Sequence, residues 1–94
     1  MIQIATIETS KAERFMKALC NHFARKVTAR YEGDKGYIEF GDGKCEITAT
    51  SSALKFQVEA ETAEGLDHVK RAVVKHLERF TPGEDIHIIW ENPS

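Results

Sequence analysis

Four side chains in this 94-residue sequence have the chemistry of metal ligands or nucleophiles: Cys20, His22, Cys45 and His76. Thiolate and imidazole are the usual ligands of zinc and related ions, and a thiolate is also a nucleophile. Their spacing does not make a ready site. Cys20 and His22 stand two residues apart, so on an intact helix their side chains diverge by about 200° and reach one ion only where the helix frays. Each of the four also has an ordinary structural role open to it. A free cysteine packs as a small apolar group, His22 with Arg25 and Lys26 can answer the negative end of a helix dipole, and His76 with Arg79 can do the same on a second helix.

The elements that must position these residues follow from periodicity. Ile2, Ile4 and Ile7 predict a first strand with a slip in its alternation, hence a bend or bulge around Ala5-Thr6. Ser10 with Glu13 three residues on has the form of a capping box, which predicts a helix start. Ala12, Phe15, Met16, Leu19, Cys20 and Phe23 then recur at helical spacing, with Lys11, Arg14, Lys17 and Asn21 on the other side. Past Lys26 the period becomes two. Val27, Ala29 and Tyr31, then 37–40, then Cys45, Ile47 and Ala49, then Leu54, Phe56, Val58 and Ala60 predict four consecutive strands. The turns between them fall at 33–36, 41–43 and 51–52. Thr62 caps a second helix with Leu66, Val69, Val73, Leu77 and Phe80 as its apolar stripe, Gly65 weakening its first turn and 81–83 ending it. Ile86, Ile88 and Trp90 predict a last strand, apolar on its second face through Ile89.

One domain over residues 1–94 is expected, because halves of this length could not each bury a core. The predicted architecture is an α+β two-layer sandwich in the order β-α-β-β-β-β-α-β, a mainly antiparallel sheet with two antiparallel helices on one face. That geometry lets Cys20 and Cys45 approach each other and assigns His76 to the opposite pole. A four-ligand cluster is therefore not expected, and Cys20, Cys45 and His22 form the smaller candidate site, with Arg25, Lys26, His76 and Arg79 as secondary candidates. No metal or cofactor is assigned to it.

Composition excludes several functions. Thirteen basic and fifteen acidic side chains give a formal net charge of -2, so no overall field draws in nucleic acid or an anionic membrane surface, although a local patch remains open. Tyr37 and Trp90 are too few for a base-stacking platform. The start has neither a charged n-region nor a long apolar segment, and no run of about eighteen apolar residues occurs, which predicts a cytoplasmic protein with reduced thiols. The glycines of 41–43 join two strands and precede no helix, so they do not form a phosphate loop. No serine elbow or paired helical histidine motif is present. Glu39, Glu46 and Glu59 sit among Arg30 and Lys55 as a solvated sheet face does.

The segments 10–17, 19–27, 43–47, 76–80 and 88–90 together resemble small bacterial proteins of the domain of unknown function 2218 family, over nearly the whole chain. The resemblance implies no activity. It implies at most an association with iron acquisition, through siderophore-interacting flavoproteins found beside related domains. The family's helix-end motif often reads His-Phe-Ala-His-Lys, and Arg25 replaces the second histidine here. The leading expectation is thus a non-catalytic binding or accessory module for iron or siderophore metabolism, with such a flavoprotein as partner. The alternative is a thiol- or metal-dependent site at Cys20, Cys45 and His22. A third expectation is a homodimer through the open sheet face or the last strand.

Overall fold

The computed structural model describes residues 1–81 and 88–93. Five strands, β1 (Ile2–Glu8), β2 (Thr28–Glu32), β3 (Lys35–Glu39), β4 (Lys44–Ala49) and β5 (Ala53–Glu59), form one sheet in the order β1-β5-β4-β3-β2, with every neighbouring pair antiparallel. Helix α1 (Ala12–Phe23) carries the chain from one edge strand to the other, and α2 (Ala63–Phe80) follows β5. Because β5 runs against β1, the two helices start from opposite ends of the sheet and are antiparallel.

The apolar periodicities become the core. Ile38 of β3, Cys45, Ile47 and Ala49 of β4, and Leu54, Phe56 and Val58 of β5 point to the helices, and all are buried. Against them lie Ala12, Phe15, Met16, Leu19, Cys20 and Phe23 of α1 and Leu66, Val69, Val73 and Leu77 of α2. Each fully enclosed Leu, Ile or Phe contributes about 1.5–3 kcal/mol by removal from water. The opposite face of the sheet is polar: Lys44 pairs with Glu59 at 3.1 Å, and the Arg30 guanidinium lies 5.4 Å from the Tyr37 ring centre.

The first strand has no bulge. Its ladder to β5 is continuous from Ile2↔Glu59 to Glu8↔Ala53, and Ala5 and Ile7, not Ile2 and Ile4, occupy the buried parity. The third residue of that parity is Gln3, whose amide oxygen accepts from Lys70 Nζ at 2.6 Å. A hydrogen-bonded polar group at the sheet margin therefore imitates a slip in the apolar pattern.

Ser10 and Glu13 do not form a capping box. The N-cap is Lys11, with no side-chain cap, and the Lys11 amide donates to Thr9 Oγ1 at 3.1 Å. Starting one residue late puts Ser10 out of phase, and Glu13 instead pairs with Lys17 at 2.8 Å. The second helix is capped as the sequence suggests, Thr62 Oγ1 accepting from the Gly65 amide at 3.0 Å.

The order ends in a helix, β-α-β-β-β-β-α, and no closing strand follows among the described residues. Residues 82–87, which carry the expected helix stop at 82–83 and the first half of the expected strand, lie outside the described residues. Over 88–93 the chain makes a single bridge to β1, the Ile4 and Glu91 amides each donating to the other's carbonyl at 2.9 and 2.8 Å. Ile88 and Trp90 do turn inward and Ile89 outward, so the alternation was real. Beyond Glu91 the ladder does not continue, since Pro93, which would face Ile2, has no amide proton to donate. Among the described residues no helix is long and apolar enough to cross a membrane.

Gly65 shows how closely α2 sits on the sheet. A Cβ there would stand 2.5 Å from the Asp42 carbonyl oxygen in the β3–β4 turn. In an isolated helix Ala is favoured over Gly by about 1 kcal/mol. In this protein we expect Gly65→Ala to reverse that sign and destabilise by about 1–3 kcal/mol, as overpacking does, measured as the shift in urea midpoint against wild type.

Candidate functional site at the helix seam

The two thiols are core. Cys20 is 1% and Cys45 0% exposed, and both are free. Cys20 Sγ lies 3.0 Å from where a Cβ on Gly36 would stand, so it fills the space that glycine leaves open. Burial raises the Cys20 thiol above its ordinary value, only partly offset by a backbone hydrogen bond from Tyr37. Burial raises Cys45 much further, and the nearby Cys20 and Glu46 charges push the same way. The sulfurs are thus neighbours, as expected, in a setting that opposes thiolate formation. Among the described residues no three His, Cys, Asp or Glu side chains come together as a metal would need. His22 is not with the cysteines. It projects from the flank of α1 that faces α2.

The pole assignment of His76 is overturned. The His22 and His76 rings lie 4.7 Å apart between centroids. The helices are antiparallel, but they are staggered along their axes, the first turns of α2 running past the α1 C-terminus to the β3–β4 turn. His76 therefore stands level with the last turn of α1, whereas helices packed end to end would have put it toward the far end. Aromatic rings wall the pair: Phe80 is 5.7 Å from His22, Phe23 is 4.6 Å from His76, and Phe40 is 5.1 Å from Phe23. His76 Nδ1 sits 2.7 Å from the Ala72 carbonyl oxygen, to which it must donate, and this leaves Nε2 as the ring nitrogen for a further partner.

The surroundings of this pair are cationic. His22 is held below the usual imidazole range first by partial burial and then by His76, Arg79, Arg25 and Lys26, in that order. Among the described residues Arg14, Arg25, Lys26 and Arg79 have no carboxylate at ion-pair distance. A cleft of about 460 Å³ continues the seam toward the α1 N-terminus, lined by Lys11, Arg14, Phe15, Ala18, Arg79, Phe80 and Thr81. At the other end His68 meets the Asp42 carboxylate at 2.9 and 3.0 Å. Acids of both helices point elsewhere: Glu13 to Lys17, and Asp67 and Glu78 to the groove beneath Trp90.

Five of the seven residues singled out in the sequence, His22, Arg25, Lys26, His76 and Arg79, thus meet at one place, and Cys20 and Cys45 do not join them. Sequence reasoning passed over Arg14, Lys11 and the Phe80 wall. The signal was present: Arg14, Ala18 and His22 recur every four residues on one flank of α1, as Ala72 and His76 do on α2.

An all-antiparallel sheet backed on one face by two antiparallel helices, with an imidazole pair beside basic side chains in the helix seam, is a small α+β two-layer domain. The chain belongs to the DUF2218 family, described as an uncharacterized protein conserved in bacteria, whose family model matches residues 4–91. It is similar to the NMR structure of PA4090 from Pseudomonas aeruginosa, at 27% identity over 96% of this chain and 94% of that one, with a TM-score of 0.82. No curated protein matches it.

Two measurements check this description. Both thiols should resist a disulfide reagent in the native protein at pH 8 and react promptly once it is unfolded in guanidinium. For His22, a pKa below that of the unfolded chain means that on acidification the unfolded state takes its proton first. Stability should therefore fall as pH drops through about 6.5, and His22→Gln should shrink the loss of urea midpoint between pH 7.5 and 5.5.

Proposed function

We propose that this domain is a non-catalytic binding module that recognises an anionic group at the His22–His76 pair. The observation that carries the reading is the pair itself, two imidazoles 4.7 Å apart beside cations that have no carboxylate partner among the described residues. Unpaired like charges repel at this range, and a bound anion relieves that repulsion by accepting charge-assisted hydrogen bonds. The nearest thiols are enclosed and hard to ionise, so the seam offers recognition without an activated nucleophile. An association with iron and siderophore metabolism, implied by family resemblance, suits this chemistry, since ferric complexes of catecholate and carboxylate chelators carry net negative charge. A siderophore-interacting flavoprotein is the partner to try first.

An anion at the pair favours the imidazolium form, so binding and protonation are coupled. Inorganic phosphate should raise the His22 pKa in an NMR titration, and affinity for ferric siderophores, measured by calorimetry, should weaken as pH rises from 6 to 8. His22→Ala with His76→Ala should cut affinity at pH 6 at least tenfold, by analogy with loss of charge-assisted bonds worth about 1.5–3 kcal/mol each. No heat with ferric siderophores or flavoprotein, together with an unmoved His22 titration, would sink the reading.

A further inference from the structure

The anion-recognition reading of the imidazole pair accounts for only one end of the helix seam. At the other end the cleft carries the guanidinium groups of Arg14 and Arg79, and no carboxylate lines it among the described residues. Arg79 belongs to both ends, since it lines the cleft and its charge acts on His22. Between them α1 presents Ala18, whose methyl leaves the floor low, and Phe80 provides an apolar wall that touches both the cleft and the His22 ring. The seam is therefore one trough with two cationic stations.

Resting on that reading, we infer that the helix seam is a docking channel for an acidic, extended peptide segment of a partner protein, with one carboxylate at His22–His76 and a second at Arg14. Arg14 and His22 are eight helical residues apart, about 12 Å along the axis. Carboxylates three or four residues apart in an extended chain are separated by about 10–14 Å, which matches this span and exceeds any single phosphate. The trough is open along one side. A small molecule normally has most of its surface enclosed, whereas a strand laid in an open trough keeps one face in water. Charge complementarity points the same way: the whole chain is net negative, yet this seam concentrates cations. Such segregation steers an acidic partner to one face.

The test uses the full chain and a fluorescein-labelled extended peptide carrying two glutamates separated by two or three alanines. Binding is read by anisotropy and by NMR shifts of the His22 and His76 rings and the Arg14 side chain, with inorganic phosphate as the single-anion reference. The inference expects the peptide to move all three residues and to bind at least tenfold more tightly than its diglutamine counterpart. Raising salt from 50 to 500 mM should weaken it severalfold. Arg14→Glu, on the exposed flank of α1, should weaken the peptide at least tenfold while the phosphate response of His22 persists, which also reports that the variant is folded. Peptide shifts confined to the two histidines, with Arg14→Glu neutral, would overturn the channel and leave the single-anion reading standing. Tighter binding by a linear aliphatic dicarboxylate of the same span would overturn the polypeptide assignment. Silence of His22 toward both phosphate and peptide would remove the underlying reading as well.

Discussion

Where α1 crosses β3 the sheet has no side chain at all. Gly36 leaves room into which Cys20 Sγ and Met16 fit, their atoms 3.0–3.3 Å from the position a Cβ would take. That approach fixes the height of α1 above the sheet and its roll about its own axis, so that Cys20 faces down and His22 faces sideways. The same rule recurs under α2, where Gly43 and Gly65 let helix, turn and strand meet. A side chain at these glycines would lift the helices, and the seam between them, with its imidazole pair, depends on both helices lying low.

Much of this arrangement was legible in the sequence because burial writes itself into periodicity. The six inward residues of α1 and the alternation of β4 and β5 were readable directly, as was the Thr62 cap. What escaped detection involved residues whose role is set by a neighbour far along the chain. Gln3 occupies a buried parity because Lys70 reaches it, so β1 looked bulged. Thr9 holds the Lys11 amide, the helix begins one residue later, and the Ser10 cap does not form. The tail turned Ile88 and Trp90 inward without extending a ladder, since alternation reports which side is apolar and says nothing of how many amides find partners.

The candidate site divides in the same way. That Cys20 and Cys45 share a region followed from strand parity and helix direction, and their chemistry did not, because the depth of burial that opposes ionisation is a property of the packed whole. The meeting of His22 with His76 was missed for a quantitative reason. Direction alone placed His76 far away, and the axial stagger of α2 past the end of α1 brings it level with that end. Charge on the helix flanks was likewise visible residue by residue, yet its meaning depends on which flank faces which.

The sheet order bears on how the chain reaches this state. Strands β2 to β5 are joined by short turns and can zip together from neighbouring residues. The remaining strand, β1, pairs among the described residues with β5 and, at one residue, with Glu91, so both of its edges are made across about half the sequence or more. Loop-closure entropy delays such contacts until the local ones exist. The N-terminal strand is thus a late arrival, and α1, tethered between it and β2, acquires its full set of neighbours only then. Slowing or trapping of that final step would leave a hairpin stack with an unpaired β5 edge, the species in which intermolecular strand addition has its opening.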